Sequence, residues 1–233
     1  MKKGNIWFVS YGVIILSFLL FLHWGNRAVT VAVESRPIER KHCIIIDAGH
    51  GGIDGGATSC TGKLESTFNL EIALRLNDLF QLLGYDTKMI RTTDTSVYTN
   101  GQSIAQQKVS DLKERVRIVN ETENALLLSI HQNQFTDGKY SGAQVFYSRE
   151  EGSEALAKQL QSAFVSALNP GSKRQCKRSE GIYLMEHINC TGVLIECGFL
   201  SNVQEEAKLR SPGYQQRICS IIASIVSGFL SNT

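Results

Sequence analysis

Apolar runs alternate with segments of helical periodicity along most of the chain, from about residue 42 onward. Several of the runs are apolar throughout rather than at every second position, which is typical of parallel strands covered by helices on both faces. The pattern predicts strands at 43–47, 85–92, 125–131, 143–148 and 192–199, and helices at about 65–83, 111–120, 153–167 and 213–230. We therefore expect a single α/β domain whose mostly parallel, twisted sheet carries helices on both faces and functional side chains at the carboxyl ends of its strands.

Two sequence signals locate helix ends. Asp111, with Glu114 three residues later, forms a capping pair that predicts the start of the second helix. Gly84 follows the last apolar residue of the first helix and predicts its C-terminal stop.

The first 23 residues predict a contact with a membrane. Ile6 to Leu22 form an apolar stretch without a charged residue, and two lysines precede it. Because this length is close to the lower limit for a spanning helix, we expect a membrane anchor at 1–23, with a cleaved signal segment as the alternative. Both interpretations export the remainder of the chain, since positive charge before the stretch favours a cytoplasmic N-terminus. Residues 24–41 mix small, polar and charged residues and predict a linker, which leaves 42–233 as the globular domain.

The charge balance argues against nucleic acid as a partner. The chain has 24 basic and 22 acidic residues and a formal net charge of +2, which gives no strong positive field. The one dense basic run, at 171–181, lacks interleaved aromatic residues. We interpret it as a solvated loop, with a binding patch for an anionic ligand as the alternative.

The six cysteines are expected to be free thiols. Three lie inside apolar runs, where a thiol behaves as a small hydrophobe: Cys43, Cys197 and Cys219. The other three lie in predicted loops and leave one disulfide open as the alternative: Cys60, Cys176 and Cys190.

Polar residues stand at the ends of three predicted strands. His50 follows the first strand, His131 ends the run at 125–131, and Glu196 comes directly after an apolar run. A buried glutamate at that position is costly without a partner, so we expect it to be paired or functional.

Glu65 lies three residues before Phe68, at the start of the apolar stripe of the first helix. It either compensates the helix dipole or points toward the strand ends.

These four residues are suited to a metal site. Two histidines and a carboxylate on separate rigid elements match a catalytic zinc ion, which takes three protein ligands and keeps a fourth position open. A second carboxylate nearby would transfer protons. Each histidine taken alone is more often a hydrogen-bonded structural residue. Arg91, Asp94 and Arg115 are interpreted as structural pairing at the periphery of this site.

At these residues the chain resembles the zinc-dependent N-acetylmuramoyl-L-alanine amidases of the Amidase_3 type. Four separated motifs carry the resemblance, in the family's order: DAGHGGIDGGA, GKLESTFNLEIALRL, LLLSIHQNQF and VLIECGFLSN, with MIRTTD and DLKERVRIVN between them. Residue by residue, the resemblance implies His50, Glu65 and His131 as zinc ligands and Glu196 as the catalytic carboxylate. The chain departs from the family at Gln134 and Phe135, which replace small residues, and at Val119, which replaces an alanine; these departures bear on substrate preference.

The resemblance also implies an activity. Members of the family hydrolyse the amide between the lactyl group of N-acetylmuramic acid and L-alanine of the peptidoglycan stem peptide, with Zn²⁺ as cofactor. The expected domain organisation is therefore an amidase domain at 42–233, whose partners are glycan strands with stem peptides and, through 1–23, the membrane. A zinc module that binds peptidoglycan with little turnover is the alternative from another class.

The architecture is similar to that of the CwlD-type amidases, which act on the spore cortex. A short catalytic domain follows a membrane segment, and no cell-wall-binding repeat is present in the sequence. In that group, removal of the peptide precedes formation of muramic δ-lactam. This similarity predicts a protein on the outer face of the bacterial membrane or in the cell wall or spore cortex, acting alone or with an accessory protein. A vegetative autolysin is the alternative.

Overall fold

The computed structural model describes residues 42–232. The predictions for 1–23 and 24–41 lie outside the described residues. Within the described part, no helix has both the length and the apolar character needed to cross a membrane. The six cysteines are free thiols, as expected.

The described residues contain one six-stranded sheet. Its strands are β1 (Cys43–Ala48), β2 (Asp86–Met89), β3 (Ala125–Asn133), β4 (Gln144–Tyr147), β5 (Lys177–Arg178) and β6 (Thr191–Phe199). They lie in the order β2-β1-β3-β6-β4-β5, and β2, β1, β3 and β6 run parallel to one another. β4 is antiparallel to β6 and parallel to β5. The sheet is therefore mostly parallel, as predicted.

Helices cover both faces of the sheet. They are α1 (Glu65–Leu82), α2 (Ile104–Asn120), α3 (Ser153–Leu168), α4 (Tyr183–His187), α5 (Val203–Leu209) and α6 (Pro212–Leu230). Ile44 and Ile46 of β1 pack in the core beneath α1, α3 and α6, whereas Ile45 packs in a second core beneath α2 and α4. Because successive residues of a strand point to opposite faces, a strand buried on both faces must be apolar throughout.

Helix α2 begins seven residues earlier than predicted. Ser103 and Gln106 form the capping box, in which the Ser103 side chain accepts from the amide of Gln106. Asp111, the predicted cap, instead accepts from the amide of Val97 at 2.6 Å and pairs with Arg115 at 2.6 Å. The first half of α2 is mostly exposed and shows little apolar periodicity, which explains the misplaced start.

The predicted stop of α1 is confirmed. Gly84 has a φ of +84°, the left-handed conformation that glycine adopts without strain. Its amide donates to the carbonyl of Gln81, and the next amide, of Tyr85, donates to that of Phe80. Elements β5, α4 and α5 were not predicted, because segments of two to seven residues are too short to show a period.

A buried ion pair lies beneath the carboxyl end of β1. Asp47 and Arg115 are 1% and 2% exposed, and a guanidinium nitrogen of Arg115 donates to the carboxylate of Asp47. The second carboxylate oxygen accepts from the hydroxyl of Ser129 at 2.6 Å. Arg115 also donates to the carbonyl of His50 at 2.8 Å, so the pair supports the loop that follows β1.

Arg91 has a structural role, with partners other than those predicted. Its guanidinium donates to four backbone carbonyls, at 2.7 to 3.0 Å: those of Ala48 and Gly49 at the end of β1, of Ser66 in α1 and of Thr93. Asp94 accepts from the amide of Gly52 at 3.1 Å. Both residues therefore position the glycine-rich loop after β1.

We expect Asp47→Asn to destabilise the fold by about 3 kcal/mol, because it leaves the charge of Arg115 buried with only part of its compensation. Urea unfolding measures the loss. Glu121→Gln is the matched control, since Glu121 pairs with Arg117 at the surface, where its side chain is 59% exposed, and this variant is expected to unfold nearly as the wild type does. Equal unfolding of the two variants would contradict this role of the pair.

Candidate metal centre

The loop after β1 turns His50 over the end of the sheet. His50 itself has a φ of +61°, which is uncommon for a residue with a side chain, and Gly51 follows at +127°. A Cβ atom at Gly49 would lie 2.1 Å from Nε2 of His131, so only glycine fits there. The glycine at position 49 therefore lets the ring of His131 pack against the loop that carries His50.

Glu65, the first residue of α1, points into the same space. Its residue is 4% exposed, and its amide donates to the carbonyl of Ala57 at 2.8 Å. Its carboxylate accepts from the amides of Ala57 and Gln132, at 3.0 and 3.2 Å, and from the side-chain amide of Asn69 at 3.2 Å. Of the two interpretations of this residue, the structure supports the one in which it points toward the strand ends.

The two histidines contact opposite oxygens of that carboxylate. Nδ1 of His131 lies 2.9 Å from Oε1 of Glu65, and Nε2 of His50 lies 3.2 Å from Oε2. One ligand atom from each residue falls within 4.8 Å of the others. Ligands at the usual zinc distances of about 2.0 to 2.1 Å in a tetrahedron are about 3.4 Å apart. Both the spacing and the nitrogen and oxygen donors therefore fit one zinc ion.

Two further residues orient His50. Its Nδ1 lies 2.8 Å from Oδ2 of Asp54, whose Oδ1 accepts from Nζ of Lys108 at 2.8 Å. A carboxylate on one ring nitrogen fixes the ring so that the other nitrogen faces the metal position. This contact was not predicted from the sequence, where its one signal is an acidic residue four positions after the histidine.

The charges of the site shift the pKa values of its members. Burial lowers the pKa of His50, but hydrogen bonds and charge from Glu65 and Asp54 outweigh it and raise that pKa to about 9. Burial likewise raises the pKa of Glu65, and the hydrogen bonds to His131 and His50 outweigh it, so this pKa falls far below its usual range. Without a metal, a proton on His50 balances the negative charge of Glu65.

Glu196 lies beside this cluster, and one of its carboxylate oxygens has no hydrogen-bond partner among the described residues. It pairs in register with His131 across β3 and β6. Its Oε2 is fully buried and is the one carboxylate oxygen among the described residues to be buried without a partner. Burial raises the pKa of Glu196 to about 7, an effect that His131 opposes and Glu65 reinforces. A carboxyl group with this pKa exchanges protons readily near neutral pH.

Fold and site together define the class of the protein. A mostly parallel α/β sheet with two histidines and two glutamates at its carboxyl edge has the donor set of a single-metal hydrolase. Residues 44–227 match the Amidase_3 family of N-acetylmuramoyl-L-alanine amidases, and the chain belongs to this family. The predicted family, fold class and enzyme class are confirmed.

Individual relatives cover nearly the whole chain. It is 39% identical to the germination-specific N-acetylmuramoyl-L-alanine amidase of Bacillus subtilis (strain 168), over 99% of this chain and 95% of that protein. The CwlD amidase from Clostridioides difficile, solved in complex with the GerS lipoprotein, superposes with a TM-score of 0.78 at 35% identity, over 82% of this chain and all of that one. An N-acetylmuramoyl-L-alanine amidase from Clostridium difficile 630 gives 0.70 at 30% identity, over 82% and 98% of the two chains.

Zinc affinity should depend on pH through His50, because the metal binds only the neutral ring. With a pKa of about 9, affinity is expected to rise roughly tenfold per pH unit from pH 7 and to level off above about 9. Titration against a competing chelator measures it. The same proton gives the metal-free protein stability that is complete below pH 6.5 and lost as pH rises through about 9. An affinity already level at pH 7 would contradict the raised pKa.

Asp54→Asn provides a matched test of the cause. The variant removes one of the two acidic partners of His50, so affinity should level off at a lower pH. The plateau itself should drop by about tenfold, because the ring loses its orienting carboxylate. Glu154→Gln, a neutralised surface carboxylate that pairs with Lys158, is the control and should behave as the wild type does.

Proposed function

We propose that the chain is a zinc-dependent N-acetylmuramoyl-L-alanine amidase in which His50, Glu65 and His131 hold the metal and Glu196 is the catalytic carboxylate. The family supplies the reaction, which is hydrolysis of the amide between muramic acid and L-alanine of the stem peptide. The observation that carries the assignment of roles is the buried, unpartnered oxygen of Glu196 beside the three donor side chains.

Glu196 is suited to accept a proton from water and then to donate it to the leaving amine. When bound, zinc supplies a Lewis acid that lowers the pKa of water and polarises the amide carbonyl. Glu196 accepts a proton from the attacking water and donates it to the leaving nitrogen as the C–N bond breaks. The products are the carboxylate of the muramic lactyl group and the free amine of the peptide. No described protein group forms a hydrogen bond with Oε2 of Glu196 and the residue is only partly buried, so the carboxylate has no competing protein partner for these proton transfers.

We further propose a role in maturation of the spore cortex. Support comes from the germination-specific relative in Bacillus subtilis and from the CwlD structure of Clostridioides difficile, whose complex with a lipoprotein also supports an accessory protein here. In this role the amidase removes the stem peptide before muramic δ-lactam forms. Residues 1–23 anchor or export the chain, 24–41 link it, and 42–233 form the catalytic domain in the cell wall or cortex.

Replacing Glu196 with Ala should abolish hydrolysis and leave zinc bound. Loss of a general acid–base group lowers kcat by about 10² to 10⁴-fold, whereas the three ligands remain. Mass analysis of digested muropeptides and zinc stoichiometry measure the two effects. Glu186→Ala is the control, since Glu186 is an exposed glutamate whose side chain accepts from the amide of Gly181. Near-normal cleavage by the Glu196 variant would refute its role.

The same assay separates an enzyme from a binding module. An amidase releases free stem peptides from peptidoglycan, while a binding module only retains the polymer. Activity that is lost with a chelator and restored by zinc is expected, and full activity after complete metal removal would overturn the mechanism.

Deletion of the gene should separate the two biological roles. If the protein acts on the cortex, spores of the deletion strain lack muramic δ-lactam, because the muramic acid keeps its peptide, and vegetative cells separate normally. Muropeptide analysis of purified spores measures the lactam. Chains of unseparated vegetative cells with normal cortex lactam would instead identify an autolysin.

A further inference from the structure

A cluster of aromatic side chains is exposed beside the metal centre. Phe135 and Tyr140 are 53% and 38% exposed, and their rings meet edge to face with centroids 5.0 Å apart. Phe199, which is buried, lies 6.2 Å from Tyr140 and connects the cluster to the core. We call these three residues the aromatic platform.

The platform extends the site along the carboxyl edge of the sheet. Phe135 follows His131 by four residues, which places it at most about 13 Å away along the strand direction. Phe199 follows Glu196 by three residues on β6 and pairs in register with Asn133 of β3. A polymeric substrate bound at the metal centre therefore reaches the platform.

Hydrogen bonds from neighbouring loops hold the loop 134–142 in place. The side chain of Gln134 donates to the carbonyl of Thr58, and the amide of Phe135 donates to the hydroxyl of Ser201.

The far end of the loop is held by the buried carboxylate of Glu205. One oxygen of this carboxylate accepts from the amide of Gly142 at 2.7 Å and also from the amide of Phe199. The two outer rings are therefore held at the surface, and fixed apolar groups beside a catalytic centre are typical of a binding site.

Each of the two cations near the rings makes a polar contact. Nζ of Lys139 lies 5.4 Å from the ring centroid of Tyr140 and 2.7 Å from the carboxylate of Asp137. Nε of Arg174 donates to the carbonyl of Ser141 at 3.1 Å. Arg174 and Lys139 lie over the rings of Phe199 and Tyr140, whereas no cation among the described residues lies over Phe135, so the exposed part of this ring presents apolar faces. Such faces match the C–H face of a neutral pyranose ring.

We propose that the aromatic platform binds a sugar ring of the glycan strand adjacent to the muramic acid that is cleaved. This inference rests on the proposed function, because the metal centre sets where that muramic acid lies. It assigns Phe135 and Tyr140 to recognition of the polymer, so that the enzyme favours long glycan strands over single muramoyl peptides.

The test compares two substrates. We expect Phe135→Ala and Tyr140→Ala each to lower the ratio of kcat/KM for polymeric peptidoglycan to kcat/KM for N-acetylmuramoyl-L-alanyl-D-isoglutamine by about fivefold, through KM of the polymer. Phe135→Trp, which keeps a ring, should retain the ratio, and Phe135→Leu should lose it. Leu82→Ala removes an exposed apolar residue at the other end of α1 and is the control. Equal losses on both substrates would overturn the proposal.

Direct binding tests the platform independently of catalysis. Glycan strands freed of their peptides should bind the wild-type chain, and the Phe135→Ala/Tyr140→Ala double variant should lose most of that binding. If the wild type cleaves neither substrate, the proposed function fails while this measurement still decides the inference. Equal binding by the wild type and the double variant would refute it.

Discussion

The carboxylate of Glu65 is buried where α1 meets the carboxyl ends of β1 and β3, and an uncompensated charge there would cost several kcal/mol. Two backbone amides and two imidazole rings compensate it, and they come from the connection between β1 and α1 and from the end of β3. Compensation of this one charge therefore places His50 and His131 at the same time. The grouping of the three donor side chains is a consequence of how the fold accommodates a buried acid.

The loop that carries His50 needs support of its own. A glycine at position 49 is required by the approach of the His131 ring, so the loop has no side chain there to pack. Its carbonyls would be unsatisfied in the interior, and two buried arginines, Arg91 and Arg115, donate to those of Ala48, Gly49 and His50. A guanidinium suits this task because its donors lie in one rigid plane.

The sequence predicted most of the fold and the grouping of His50, Glu65, His131 and Glu196 at the strand ends, because strands buried on both faces are apolar throughout and end where polar residues begin. The helical stripe that starts at Glu65 placed that residue on the buried face. The sequence did not predict that β4 runs antiparallel to β6, because an apolar run shows the same pattern in either direction. The contact between Asp54 and His50 was missed because it depends on how the glycine loop folds back, which periodicity does not report.

The electrostatics of the site favour positive charge at its centre both with and without a metal. Without metal, the raised pKa of His50 keeps a proton between Glu65 and Asp54, and that proton provides the compensation a cation would otherwise supply. Exchange of the proton for a metal adds positive charge near Glu196 and favours its ionised form, which opposes the effect of burial. Glu196 therefore titrates under two opposing influences. A carboxyl group so balanced is able both to accept a proton from water and to return it to an amine within one turnover.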